Sequence, residues 1–211
     1  MLRINVTVSA PDPGSIERAA AVLREGGIAA IPTDTLYGLA VDPFDPAAVS
    51  KLFTIKNRAI EKAVPLVASD LEQVRSRIGA LPTVGERLAK QFWPGPLTLV
   101  LAAPAALAPE VTGGRATVGI RIPDHEVTRA LCAAARTPLT ATSANISGRP
   151  ATADPDVVAS ELGARIDLLL DAGRTAGGAP STIVDVTGSE PRLIRAGAIE
   201  WHAVLAATTN G

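Results

Sequence analysis

Apolar residues recur along this chain in two periods, and the alternation between them sets the first picture. Apolar positions three and four apart, opened by a capping residue, predict helices; short β-branched or alternating runs predict strands. "DPGSIERAAAVLREGG" has Asp12 to cap, Pro13 at the first helical position and Gly26–Gly27 to stop. "DPAAVSKLFTIKNR" opens the same way at Asp45–Pro46 and puts Val49, Leu52 and Phe53 on one face. "SDLEQVRSRIG" and "TVGERLAKQFWPG" each start with a capping-box pattern, Ser69 with Glu72 and Thr83 with Glu86. "DHEVTRALCAAA" and "DPDVVASELG" predict two more helices. Between them lie the strand candidates "INVTV", "IAAIP", "VPLVAS", "LTLVLAA", "ATVGIRI", "PLTAT", "IDLLLDAG", "STIVDVT" and "RLIRA". Such alternation predicts one α/β domain over 1–211 with a mixed sheet. No repeat, low-complexity tail or linker interrupts it, and the last dozen residues are expected to fray.

Composition narrows the class. A chain of 211 residues, 47% hydrophobic and 19% charged, is long enough for one sizeable core and too apolar for disorder. The formal charge of -1 gives no global attraction to nucleic acid or anionic membrane. A single cysteine, Cys132, excludes an internal disulfide and fits a reducing compartment. The N-terminal stretch lacks the apolar core of a signal peptide, and no apolar run approaches the ~18 residues of a membrane span. The expectation is a soluble, cytoplasmic protein with no membrane partner.

Most familiar catalytic patterns are missing. The chain has no phosphate loop of the G-x-x-x-x-G-K-[ST] type, no G-x-G-x-x-G turn and no G-x-S-x-G elbow. His125 and His202 are far apart in sequence, and one thiol cannot complete a zinc site, so no metal ligands are assigned. His125 reads as a solvated residue in the first turn of a helix, and Cys132 as a small core residue.

Cations and small polar groups stand out instead. Alternation along "ATVGIRIP" puts Val118, Ile120 and Ile122 on one face and Thr117, Gly119 and Arg121 on the other. A bare glycine beside an arginine suggests a face where an anion approaches the backbone; an arginine paired with a structural aspartate is the alternative. Arg195 in "PRLIRAG" repeats the pattern, whereas Lys56 and Arg58 in "FTIKNR" equally suit a helix C-terminus. "PLTATSANISGRP" crowds Thr140, Thr142, Ser143, Asn145 and Ser147 together, as an ordinary turn would or as a ligand loop would.

Taken in order, "IPTDTLYGLA", "KNR", "WPGPLTLVL", "TVGIRIP", "TSANISG" and "STIVD…LIRAG" resemble the YrdC/TsaC family of threonylcarbamoyl-adenylate synthases of tRNA modification. The resemblance covers about 28–199. It implies an open, twisted α/β sheet with flanking helices around a large, concave, positively lined cavity. It also implies roles. Lys56 and Arg58 match the family's K-x-R element, the catalytic cations, which also hold nucleotide. Ser143 and Asn145 match its S-x-N element, which lines the nucleotide and amino-acid pocket and contacts ATP. Thr35, Arg121 and Ser181 match positions that hold L-threonine, and Thr117, Ser143 and Arg195 positions that contact ATP. Three residues depart from the pattern: Ala59 replaces the usual proline after K-x-R, Val64 a histidine of some members, and Ala151 an ATP-contacting serine. The further C-terminal domain of longer relatives is not expected.

The implied reaction joins L-threonine, bicarbonate (or carbon dioxide) and ATP to give threonylcarbamoyl-AMP and pyrophosphate. The threonine amine becomes a carbamate, whose oxygen attacks the α-phosphate, so no protein nucleophile is required. Holding anionic partners together is a task for arginine, lysine and hydroxyl donors. Magnesium is expected to arrive with ATP rather than in a protein cage. The loop from Lys56 to Pro65 is the candidate lid. Partner proteins of tRNA modification, and weak RNA binding, complete the expectation. Two alternatives stand beside it: a non-catalytic RNA-binding module, disfavoured by 3% aromatic residues for base stacking, and a carbamoyl-transfer domain like that of hydrogenase maturation.

Overall fold

Three helices begin where the sequence places aspartate before proline. Asp12 accepts the Ser15 N–H, Asp45 those of Ala47 and Ala48, and Asp154 that of Asp156. Each proline then takes a first-turn position whose N–H would have no helical partner.

The computed structural model describes residues 1–209. In chain order the elements are β1 (Leu2–Asn5), α1 (Pro13–Arg24), β2 (Ala29–Ile31), β3 (Gly38–Ala40), α2 (Pro46–Lys56), β4 (Leu66–Val67), α3 (Leu71–Arg77) and α4 (Thr83–Phe92). Then come β5 (Leu97–Ala102), α5 (Pro109–Thr112), β6 (Thr117–Arg121), α6 (Glu126–Ala135), β7 (Leu139–Thr140) and β8 (Thr142–Ser143). The described chain ends with α7 (Pro155–Leu162), β9 (Leu168–Asp171), β10 (Thr182–Asp185), β11 (Arg192–Arg195) and α8 (Trp201–Thr209).

This is the mixed α/β architecture with flanking helices that the sequence predicts, but its strands divide between two open sheets. One runs β1-β9-β2-β3-β8 and the other β11-β10-β5-β6-β4-β7. Parallel and antiparallel pairs occur in both. The chain passes from the second sheet to the first at Ala141, between β7 and β8. There the Ala141 N–H donates to Pro65 O, and the Thr140 side chain accepts the Val41 N–H. Alternation within a strand cannot reveal which sheet the strand joins, hence the expectation of one sheet.

Both faces of the first sheet are covered. In β9, Leu168 and Leu170 pack with Ile16, Leu23 and Leu131 of α1 and α6, while Leu169 packs into the larger core with Leu52 and Leu66. A continuous apolar run is what a strand buried on both sides requires. Cys132 is fully buried in the α1–α6 layer, and burial pushes its thiol up to about 12, in keeping with a core role.

Three local expectations need correction. The α3 cap is Asp70, which accepts the Gln73 N–H, while the Gln73 side chain accepts that of Ser69; Ser69 is not the cap. Helix α4 begins at Thr83 itself with no side-chain cap, and Glu86 pairs with Arg75 at 2.7 Å. Of the last dozen positions, which were expected to fray, Trp201–Thr209 form α8, where Val204 is buried and the Thr208 carbonyl accepts from Arg87; 210 and 211 lie outside the described residues. Apolar spacing at Trp201, Val204 and Ala207 lets this helix pack on the core.

Candidate functional site

At the junction of the two sheets lies a cavity of about 430 Å3. The turn before β3, the ends of β4 and β6, the 141–143 crossing and the segment before β10 meet there. Gly38 lets the strands come close: a Cβ on it would lie 3.3 Å from Thr142 O. Six of the nine candidate residues line this cavity: Thr35, Arg58, Arg121, Ser143, Ser181 and Arg195. A roomier cavity of about 570 Å3 between α3, α4 and the start of α6 contains none of the nine.

Each arginine is tethered. The helix α2 stops at Asn57 in the left-handed region (φ 49°), which turns the chain so that Arg58 faces the cavity. Arg58 Nε donates to Lys62 O and Nη2 to Ala63 O, and burial lowers its pKa. Arg195 donates through Nε and Nη2 to Ser181 O, and through Nη2 also to Ser181 Oγ at 3.1 Å. Ser181 Oγ in turn lies 2.9 Å from Thr98 Oγ1. Arg121, 8% exposed, is paired through Nη1 with Asp34. Burial draws the Arg121 pKa down, Asp34 opposes this, and Arg195 adds to it. All three guanidinium groups remain cations, since arginine does not lose its proton in proteins.

Lys56 has a different place. It is 1% exposed at the end of α2, and its ammonium donates to Ser143 O, Asn145 O and Asn145 Oδ1. Three acceptors satisfy its three N–H bonds, so Lys56 holds the 143–145 turn from below. Burial, then Arg58, pushes its pKa down to about 8. Asn145 belongs to the same network: it accepts from Ser143 Oγ and donates to Arg149 O. Within the dense polar run, Ser143 thus lines the cavity and Asn145 shapes the turn behind it.

Thr117 is not brought to the cavity. It starts β6 opposite Ala102, four residue steps along the strand from Arg121, about 13 Å. Gly119 is not an anion seat either. A Cβ there would meet Thr98 Cγ2 at 3.1 Å and Pro65 Cβ at 3.8 Å, so this glycine admits packing. His125 is buried rather than solvated; burial lowers its pKa, and its Nδ1 has no hydrogen-bond partner. The alternative for Arg121, an aspartate partner, is realised while the side chain still lines the cavity.

Sequence reasoning missed Asp34, Thr33, Tyr37 and Thr98. Tyr37 is fully buried; its hydroxyl donates to Gly173 O and accepts the Ala172 N–H. The Thr35 carbonyl accepts from Gly177 N and Thr175 Oγ1. These bonds pin the 172–177 segment to the turn before β3, over the cavity's edge. "PTDTLYG" signalled a polar interruption, but its partners lie about 140 residues away. Among the described residues no group of three His, Cys, Asp or Glu side chains could hold a metal ion. No described helix is long and apolar enough to cross a membrane.

Comparisons with known proteins show the family. The model of the Sua5/YciO/YrdC family, described as "Telomere recombination", matches residues 21–197. The chain is 39% identical over 193 residues to a threonylcarbamoyl-AMP synthase of Bacillus subtilis, covering 91% of this chain and 56% of that one. It is 37% identical over 186 residues to a threonylcarbamoyl-AMP synthase of Marinobacter nauticus, covering 87% and 98%. The crystal structure of Pyrococcus abyssi Sua5 complexed with L-threonine superposes with a TM-score of 0.92 at 35% identity, over 98% of this chain and 61% of that one. The chain thus spans little more than half the length of the Bacillus and Pyrococcus relatives.

Proposed function

Because this chain belongs to the Sua5/YciO/YrdC family, we propose that it is a threonylcarbamoyl-AMP synthase, condensing L-threonine, bicarbonate or carbon dioxide, and ATP with release of pyrophosphate. The observation that carries the reading is one cavity in which Arg58, Arg121 and Arg195 meet the hydroxyls of Thr35, Ser143 and Ser181. Its lining offers no cysteine, histidine or carboxylate to act as nucleophile or base. The reaction asks for none.

In this reading the threonine amine attacks carbon dioxide and loses a proton, giving a carbamate. A carbamate oxygen then attacks the ATP α-phosphorus, and pyrophosphate leaves. Arg121 holds the threonine carboxylate, with Thr35 and Ser181 near its polar groups. Arg58, Arg195 and Ser143 face the nucleotide, and Arg58 offsets charge on the triphosphate in the transition state. Lys56 and Asn145 act by fixing the Ser143 turn. Tethered guanidinium groups suit such work, because they need no reorganisation as charge develops. Magnesium enters with ATP as part of that substrate. The adenylate passes to partner proteins that act on tRNA, in the cytoplasm, with weak RNA contact by this chain.

Pyrophosphate release with ATP and bicarbonate, measured with each amino acid in turn, tests the reading. Threonine is expected to support turnover well above valine, its near-isostere, because hydroxyls built to pair with the substrate's own are left unpaired by valine. Equal rates with the two would refute it.

A further inference from the structure

Asp34 stands in no role so far, yet it is the carboxylate that holds the most buried of the cavity's arginines. Arg121 Nη1 lies 3.0 Å from Asp34 Oδ1 and 3.2 Å from Oδ2. The two side chains are 10% and 12% exposed. Asp34 comes from the turn before β3 and Arg121 from the end of β6, one from each sheet. Arg121 lines the cavity and Asp34 does not, so the carboxylate lies behind the guanidinium.

That turn is itself fixed. Thr33 Oγ1 donates to Leu36 O and accepts the Thr35 N–H, and the Thr35 carbonyl takes bonds from Gly177 and Thr175. Asp34 is therefore presented from a braced backbone. It engages Nη1, and no other protein acceptor bonds Arg121 among the described residues. The opposite edge, Nε with Nη2, is left unengaged. That edge carries two parallel N–H bonds, the fork that matches a planar carboxylate.

We infer that Asp34 is a positioning residue for the amino-acid substrate: it grips Arg121 at Nη1 so that the Nε–Nη2 edge is presented to the substrate carboxylate. Resting on the synthase reading, this adds how the amino acid, rather than the nucleotide, is selected. Without Asp34 the guanidinium would turn about its side-chain bonds and meet the carboxylate through fewer bonds. A lysine at 121 would have no planar two-bond edge to present.

The test is calorimetric binding of L-threonine and of ATP to the wild type, Asp34→Asn, Arg121→Ala and the double variant, with pyrophosphate release alongside. Asp34→Asn keeps the volume and removes the charge. It is expected to weaken threonine binding about tenfold, the loss of roughly one charge-assisted bond, with ATP affinity within about twofold. The double variant should bind threonine no worse than Arg121→Ala, since Asp34 acts through Arg121. Unchanged threonine binding in Asp34→Asn, equal weakening toward both substrates, or additivity in the double variant would overturn the inference while leaving the synthase reading intact. A wild type that binds no threonine would overturn both. Should Asp34→Asn fail to fold, Asp34→Glu, which keeps the charge but displaces it, is expected to weaken threonine alone; unaltered threonine binding there overturns the inference.

Discussion

Replacing Gly197 by alanine should damage the cavity from outside it. A Cβ on Gly197 would stand 2.3 Å from Pro180 O, 2.5 Å from Ser181 C and 2.5 Å from Thr182 N. All three are backbone atoms, so no side chain can swing aside. Ordinary contact begins near 3.4 Å, which requires a shift of about 1 Å in one of the two segments. Overpacking of this kind costs typically 1–3 kcal/mol, and a backbone clash belongs at the upper end. Three kcal/mol corresponds to roughly 6–12 °C in Tm for a chain of this size. The segments are also cross-bonded: Ala198 N donates to Pro180 O, and Thr182 Oγ1 bonds both the carbonyl and the N–H of Ile199. Moving them carries Ser181 away from Arg195 and Thr98, so under the proposed synthase activity kcat/KM for threonine should fall at least about tenfold, as a displacement of about 1 Å can cost more than that. Gly188→Ala is the control, because its nearest neighbour would be Glu190 O at 3.9 Å. Thermal melting and steady-state pyrophosphate release decide the matter. A Gly197→Ala protein with the Tm and kcat/KM of the Gly188→Ala control would refute the reasoning.

Two further outcomes follow from burial. Lys56 has a folded pKa of about 8 against an ordinary 10.5, so between these values the unfolded chain binds a proton that the fold does not, and stability climbs with pH. From pH 7 to pH 9.5 the wild type should gain roughly 2 kcal/mol relative to Lys56→Met in urea unfolding; parallel curves for the two proteins would contradict this. Cys132, with its thiol pushed up to about 12, should resist alkylation at pH 8 in the folded protein and label fully in denaturant. Labelling of the native protein as fast as the denatured one would remove it from the core.

Local signals were legible where one element carried them. Asp-Pro pairs marked three helix starts, and alternation along β6 set Thr117 and Gly119 apart from the buried Val118 and Ile120, although Arg121 at the strand's end is buried as well. What the sequence hid is the identity of partners across the chain. Lys56 reads as a solvated helix-end cation; it is buried because the 143–145 turn, nearly 90 residues on, supplies three acceptors. His125 follows Pro123 and Asp124, a polar context that suggests a surface, but α6 is bonded to the segment before β3, Thr128 Oγ1 donating to Pro32 O, and the ring is buried. Thr117 and Arg121 share a strand face, which shows a common direction and not a common site; the strand's length separates them.

The arginines share one device. Arg58, Arg121 and Arg195 come from a helix end, one strand end and another, and each commits part of its fork to a protein acceptor: the Lys62 and Ala63 carbonyls, the Asp34 carboxylate and the Ser181 oxygens. A guanidinium can do this because its five N–H bonds lie in one plane with fixed directions. An ammonium has three donors but no planar fork, and the one lysine of the group, Lys56, gives all three to the 143–145 turn. The tethers also hold three like charges around a cavity when it is empty, where they repel one another and are poorly solvated. Both costs are met before any anion arrives, so binding the triphosphate and carboxylate of the proposed substrates would relieve repulsion as well as form bonds. A cavity organised in this way favours ligands by their negative charges and their spacing, with no cysteine, histidine or carboxylate in its lining.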